Sequence, residues 1–140
     1  MSEKRVLGCR RCGHALTREV FPLPEMPEPE MRAGGGGYSS TVATGYVATE
    51  PHAVTVDDDR PAGSTGCLVV NIEDGLQLLV HEDPVRSSGC CGHDGLDGPN
   101  RRCPGCRSEV ATLRDDCWSP QELRFEPGVV TLMPLSKTWT

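Results

Sequence analysis

Apolar residues along this chain come in short runs separated by glycine, proline and charge, and no stretch predicts a helix longer than two turns. Residues 4–20 read as strand, knuckle, strand: Val6-Leu7, then Cys9-Arg-Arg-Cys12-Gly13, then Ala15-Leu16-Thr17 with Val20 and Phe21 beyond. Between Tyr38 and Val56 the residues Val42, Tyr46, Val47, Val54 and Val56 lie among threonines, which favours strands. Two apolar runs, Cys67 to Ile72 and Leu76 to Val80, flank Glu73-Asp74-Gly75 and predict a hairpin that supplies most of the core, because Asp-Gly tolerates a tight turn. Further strands are expected at Glu109–Arg114, Glu122–Phe125 and Val129–Met133. The pattern predicts a mainly β fold.

The breaks between these runs differ in character. Residues 22–37 begin with prolines 22, 24, 27 and 29 interleaved with glutamates and end in Gly34 to Gly37, so they read as a Pro/Gly-rich flexible connector within one domain spanning 1–140. Asp57-Asp58-Asp59 reads as a solvated loop, since three adjacent carboxylates lack the alternating spacing of a calcium loop. Residues 87–101 carry four glycines and a proline and predict a shaped loop rather than a regular element.

Composition makes apolar burial alone a doubtful basis for the fold. Leu 12, Val 13, Ile 1 and Phe 2 together are 28 of 140 residues, and Gly 16 with Pro 12 weaken element interiors. Eight cysteines are then the natural crosslinks. Met1 to Arg5 is charged and no apolar stretch of signal length follows, so a cytoplasmic chain with no membrane segment is expected. In a reducing compartment, Cys-x-x-Cys pairs indicate metal or redox chemistry rather than stable disulfides.

The strongest chemical signal is the internal similarity of Cys9-Arg-Arg-Cys12-Gly and Cys103-Pro-Gly-Cys106-Arg, each leading into a strand. Two such knuckles supply four sulfurs, the closed tetrahedral set that structural zinc prefers. Closing the 90-residue span between Cys12 and Cys103 costs about 4 kcal/mol in chain entropy. Zinc–thiolate binding of about 10–16 kcal/mol exceeds that. A zinc-ribbon-like domain with a long β-rich insertion is therefore the favoured architecture. Cys90, Cys91 and Cys117 remain as a second metal constellation, with His93 or His81 as a candidate fourth ligand. The rival grouping takes Cys91 or Cys90 with Cys103, Cys106 and Cys117. Adjacent cysteines point apart on an extended backbone, which makes joint use of Cys90 and Cys91 uncommon. Cys67, in an apolar run, reads as a buried hydrophobe, and His14 and His52 as surface residues.

Two further readings stay open. A hydrolytic zinc enzyme can be drawn from Cys90, Cys91, Cys117 and a histidine, with Asp94, Asp97, Asp115 or Asp116 as base, although no deaminase, metalloprotease or phosphate-loop motif occurs. Lys4, Arg5, Arg10, Arg11, Arg101, Arg102 and Arg107 flank the two knuckles and would cluster at a shared metal. That arrangement suits nucleic-acid contact or charge compensation of thiolates, and the net charge of -6 favours the second. The preferred expectation is a non-enzymatic module that offers loop 89–100 and Trp118 to a protein partner.

The block Gly-Cys-Cys-Gly-His-Asp-Gly-Leu-Asp-Gly-Pro-Asn at 89–100, followed by Cys103-x-x-Cys106, Glu109-Val-Ala-Thr112 and Asp116-Cys-Trp118, resembles a group of small, functionally uncharacterised actinobacterial proteins. Cys9-x-x-Cys12-Gly and Leu16-Thr17 fit the same group, which is similar to zinc-ribbon proteins. The resemblance implies a metal site but no activity, and it implies a knuckle glycine where this chain has Arg107.

Overall fold

The computed structural model describes residues 3–28, 30, 37–51, 54–55, 61–63, 66–117 and 119–135. Trp118, His52, Asp57-Asp58-Asp59 and Gly34 to Gly36 lie outside the described residues. In chain order the strands are β1 (Arg5–Cys9), β2 (Phe21–Pro22), β3 (Tyr46–Thr49), β4 (Val54–Thr55), β5 (Pro61–Gly63), β6 (Leu68–Val70), β7 (Leu79–Val80), β8 (Arg101–Arg102), β9 (Glu109–Arg114), β10 (Glu122–Phe125) and β11 (Val130–Pro134). Two 3-10 turns, Ile72–Asp74 and Pro84–Ser87, complete the regular structure among the described residues. The fold is mainly β, and no helix among these residues is long and apolar enough to cross a membrane.

Seven strands form one sheet in the order β2-β3-β6-β10-β9-β8-β7, while β1 pairs antiparallel with β11 and β4 with β5. Alternation along the central strands sends residues to two buried faces. Leu68, Val70, Leu123 and Phe125 join Leu7, Leu16, Val20, Val110 and Val130 in the main core. Val69 joins Val42 and Ala48 on the opposite face, with Leu23 and Met26 packed against them. The Pro-rich segment is thus docked where it begins: Phe21 and Pro22 pair in parallel with Tyr46 and Val47, and the Leu23 N–H donates to the Val47 carbonyl at 2.7 Å.

The hairpin expected over residues 67–80 does not form. β6 already has β3 along one edge and β10 along the other, so no edge is left for the following segment. The chain turns away at Ile72–Asp74, where the Asn71 side chain accepts from the Glu73 N–H at 3.0 Å as an N-cap. Gly75 then bridges to Thr17, and β7 pairs with β8 at the far edge of the sheet. Leu79 and Val80 are consequently exposed, at 37% and 62%, and contribute little core.

The outer face of β10 carries a buried ionic network rather than a solvated one. Glu122 and Arg124 are 1% exposed and Arg114 is 5% exposed. The Glu122 carboxylate accepts from Thr41 Oγ1 at 2.6 Å, from Arg114 at 3.4 Å and from Arg124, whose other nitrogen reaches Glu50 at 3.1 Å. Thr41 and Glu50 thus reach the polar side chains of β10 from outside the strand.

Candidate metal centre

Each knuckle is the tip of a β-hairpin. β1 runs into the first, and the chain returns along it with Gly8 bridged to Ala15. β8 and β9 flank the second. The two tips repeat one backbone design. In the first, the Gly13 N–H donates to the Cys9 carbonyl at 2.8 Å and the Cys9 N–H to the His14 carbonyl at 2.9 Å. In the second, Arg107 N–H donates to the Cys103 carbonyl at 2.8 Å and Cys103 N–H to the Ser108 carbonyl at 2.8 Å. The residue after the second cysteine is left-handed in both, with φ 78° at Gly13 and 66° at Arg107. Glycine is the residue that takes this conformation at no steric cost, and Arg107 adopts it without being glycine.

This repetition points the four thiols at a common centre. Cys9 Sγ lies 3.6 Å from Cys106 Sγ, and Cys12 Sγ lies 3.5 Å from Cys103 Sγ. All four sulfurs are within 4.8 Å of one another, with Cys9 and Cys103 buried, Cys106 half-buried and Cys12 exposed. Disulfide sulfurs sit about 2.05 Å apart. A tetrahedral ion with metal–sulfur bonds of about 2.3 Å separates its sulfurs by about 3.8 Å. The two shortest spacings lie near that value and well beyond a disulfide's, so the residues fit a metal ion. The approach is close enough that a Cβ at Gly105 would lie 2.9 Å from Cys12 Sγ.

Local electrostatics differ between the sulfurs. Burial pushes the Cys103 thiol up to about 12 and raises that of Cys9 as well. Contact with the Ser108 hydroxyl at 3.2 Å, together with the Ser108 backbone, draws Cys106 down to about 6. A cation at the centre would compensate the buried thiolates that burial otherwise disfavours.

Cys90, Cys91 and Cys117 form a second, separate group with sulfurs within 4.8 Å, and Cys91 Sγ is 3.0 Å from Cys117 Sγ. The chain bends at residues 90–92, which turns the adjacent cysteines to one side and removes the obstacle that an extended backbone would impose. The rival grouping of Cys91 or Cys90 with Cys103, Cys106 and Cys117 is not formed, because Cys103 and Cys106 face the first knuckle. Neither candidate histidine joins. His93 Nδ1 contacts Asp115 Oδ1 at 2.9 Å. His81 is buried between the Asp83 N–H, which donates to Nδ1 at 3.0 Å, and the Glu109 carboxylate, 2.7 Å from Nε2.

No family profile matches the chain, and no solved structure matches it. Among curated proteins, centrosome-associated protein CEP530 of Toxoplasma gondii is similar, 27% identical over 116 residues. The matched stretch is 83% of this chain but spans only 2% of that relative's length. The site's geometry therefore carries the functional reading.

Loop 89–100 is anchored to the sheet by several hydrogen bonds. Asn100 donates to the Leu113 carbonyl at 3.0 Å and accepts from its N–H at 2.7 Å, while the Arg114 guanidinium donates to the Asp94 carbonyl at 3.1 Å. Residues 89–91 at its start are exposed, Gly95 and Asn100 are buried, and the rest are half-buried. Two roles were invisible to sequence reasoning: Asp116, read as a candidate base, is a buried acceptor for three backbone N–H groups, and Glu122 is the hub of the network above. An aspartate directly before a cysteine was the available signal for the first. Cys67 is fully buried in the run where it was expected as a hydrophobe.

Proposed function

We propose that Cys9, Cys12, Cys103 and Cys106 hold a structural zinc ion, and that the protein is a zinc-ribbon-type module that acts by contacting another protein rather than by catalysis. The carrying observation is the pair of hairpin tips with matched backbone bonds, whose sulfurs pair across the gap at 3.5 and 3.6 Å and all lie within 4.8 Å of one another. Zinc favours such a soft, tetrahedral, closed set, and a closed set leaves no position for substrate or activated water.

Protein contact is supported by the sheet's exposed end. β7 is an edge strand whose Leu79 and Val80 are 37% and 62% exposed. An apolar edge of this kind suits strand addition by a partner. The nucleic-acid reading has weaker support, since Lys4, Arg5 and Arg102 face Glu19, Glu3 and Glu82. Arg10, Arg11 and Arg107 are exposed and adjoin the cysteines in sequence, where they would offset the net charge of about -2 of a four-thiolate zinc centre.

Elemental analysis of protein purified under reductant tests the metal assignment: zinc retained by the parent and lost from Cys9→Ser and Cys103→Ser supports it, and unchanged content in both rejects it. Val80→Glu then tests the partner surface, which is rejected if a captured partner binds the variant as well as the parent.

A further inference from the structure

The three remaining clustered thiols are held by a feature that packing does not explain. Asp116, 5% exposed, accepts through Oδ1 from the Cys91 and Cys117 N–H groups, both at 2.8 Å, and through Oδ2 from the Cys90 N–H at 3.1 Å. One buried carboxylate therefore fixes the backbone of all three cysteines, although they come from segments 26 residues apart. Free cysteines are ordinarily among the most buried residues. Here Cys90 and Cys91 are exposed and Cys117 is half-buried, with all three sulfurs converging on the solvent side. A carboxylate fixing the segments behind a set of ligands is what a preorganised metal site requires.

We infer that Cys90, Cys91 and Cys117 form a second, solvent-facing site that takes a thiophilic cation exchangeably, independent of the four-cysteine centre. Three soft sulfurs select zinc or copper(I) over hard cations. Copper(I) is satisfied by the three sulfurs, whereas zinc takes a water as its fourth ligand, because no fourth protein donor among the described residues joins the group. Binding replaces the three S–H bonds by metal–sulfur bonds and releases three protons to solvent, with no change of oxidation state. Open access on one side makes this ion labile, in contrast to one enclosed between the two knuckles.

The experiment titrates the reduced full chain, already holding one zinc, anaerobically with zinc and separately with copper(I), each against a chromophoric chelator. A second equivalent of either ion is expected in the parent, with affinity at least about tenfold lower in Cys117→Ser and in Asp116→Asn. Both variants should keep the first zinc and the parent's circular dichroism, which separates this site from failure of the four-cysteine centre. Absence of a second equivalent for both ions, or unchanged binding in both variants, overturns the inference. So does mass mapping that finds Cys91 and Cys117 joined as a disulfide in protein purified without added oxidant.

Discussion

Arg107 holds in the second knuckle the left-handed backbone position that Gly13 holds in the first, and each donates its N–H at 2.8 Å to the carbonyl of the cysteine four residues before it. A side chain at positive φ costs about 1 kcal/mol, because Cβ crowds the following carbonyl. Arg107 is exposed and the space around a Cβ at Gly13 is open, so φ alone separates the two positions. Arg107→Gly should therefore raise the stability of the zinc-loaded protein by about 0.5–1 kcal/mol, and Gly13→Ala should lower it by about 1 kcal/mol. Urea unfolding of the two variants beside the parent checks both signs.

Gly105 is small for a different reason. A Cβ there would stand 2.9 Å from Cys12 Sγ and 3.2 Å from His14 Cβ, so Gly105→Ala forces the first knuckle away from the second. Because the displaced atom is itself a ligand, the loss should appear in zinc affinity, by about tenfold, and little in the secondary structure. Competition with a zinc chelator measures it; parent affinity would show that the tips have slack.

Glu122 sits between two guanidinium groups with side-chain exposures of 2% for Glu122, 6% for Arg114 and 1% for Arg124. Glu122→Gln preserves volume but leaves two buried positive charges without their shared anion, a loss of about 3 kcal/mol or more. Glu19→Gln removes the partner of Lys4 at an exposed pair and should cost under about 0.5 kcal/mol. Denaturation curves for the two variants should differ by that contrast, and similar midpoints would contradict the buried network.

Glu109 links stability to pH. Burial alone raises its carboxyl, but the hydrogen bond from His81 and the nearby Arg86 and Arg102 guanidiniums outweigh this and hold it below the usual glutamate range. Since the folded value is the lower one, the associated stability is present above the unfolded value of about 4.3 and disappears as pH falls through the folded value. The side chain is 36% exposed, so solvent screening keeps the contribution below about 1 kcal/mol. Stability measured from pH 6 down to pH 3 should fall less steeply in Glu109→Gln than in the parent.

Locally encoded features were legible and long-range ones were not. Glu109–Arg114 and Glu122–Phe125 are strands at the bounds their residue types predict, and both knuckles turn as Cys-x-x-Cys tips do. Asp74-Gly75 was misleading because a turn signal carries no information about whether the neighbouring strand has a vacant edge. The modest apolar content is spread over two buried faces, because β6 contributes side chains to both. Burial of Glu122 and Arg124 could not be foreseen, since alternation along β10 shows which residues share a face but not what covers it. Pairing of the cysteines into a set of four and a set of three followed from knuckle spacing in the first case. In the second it depended on Asp116, whose role appears only when segments 90–91 and 116–117 are side by side.

The central claim is that a metal ion bound by Cys9, Cys12, Cys103 and Cys106 holds the two hairpin tips together, and chelation tests it most directly. Thermal unfolding under reductant should be cooperative for protein carrying zinc, and after treatment with a strong chelator the transition should broaden or vanish and recover on adding back one equivalent of zinc. Identical transitions and circular dichroism with and without chelator would contradict it.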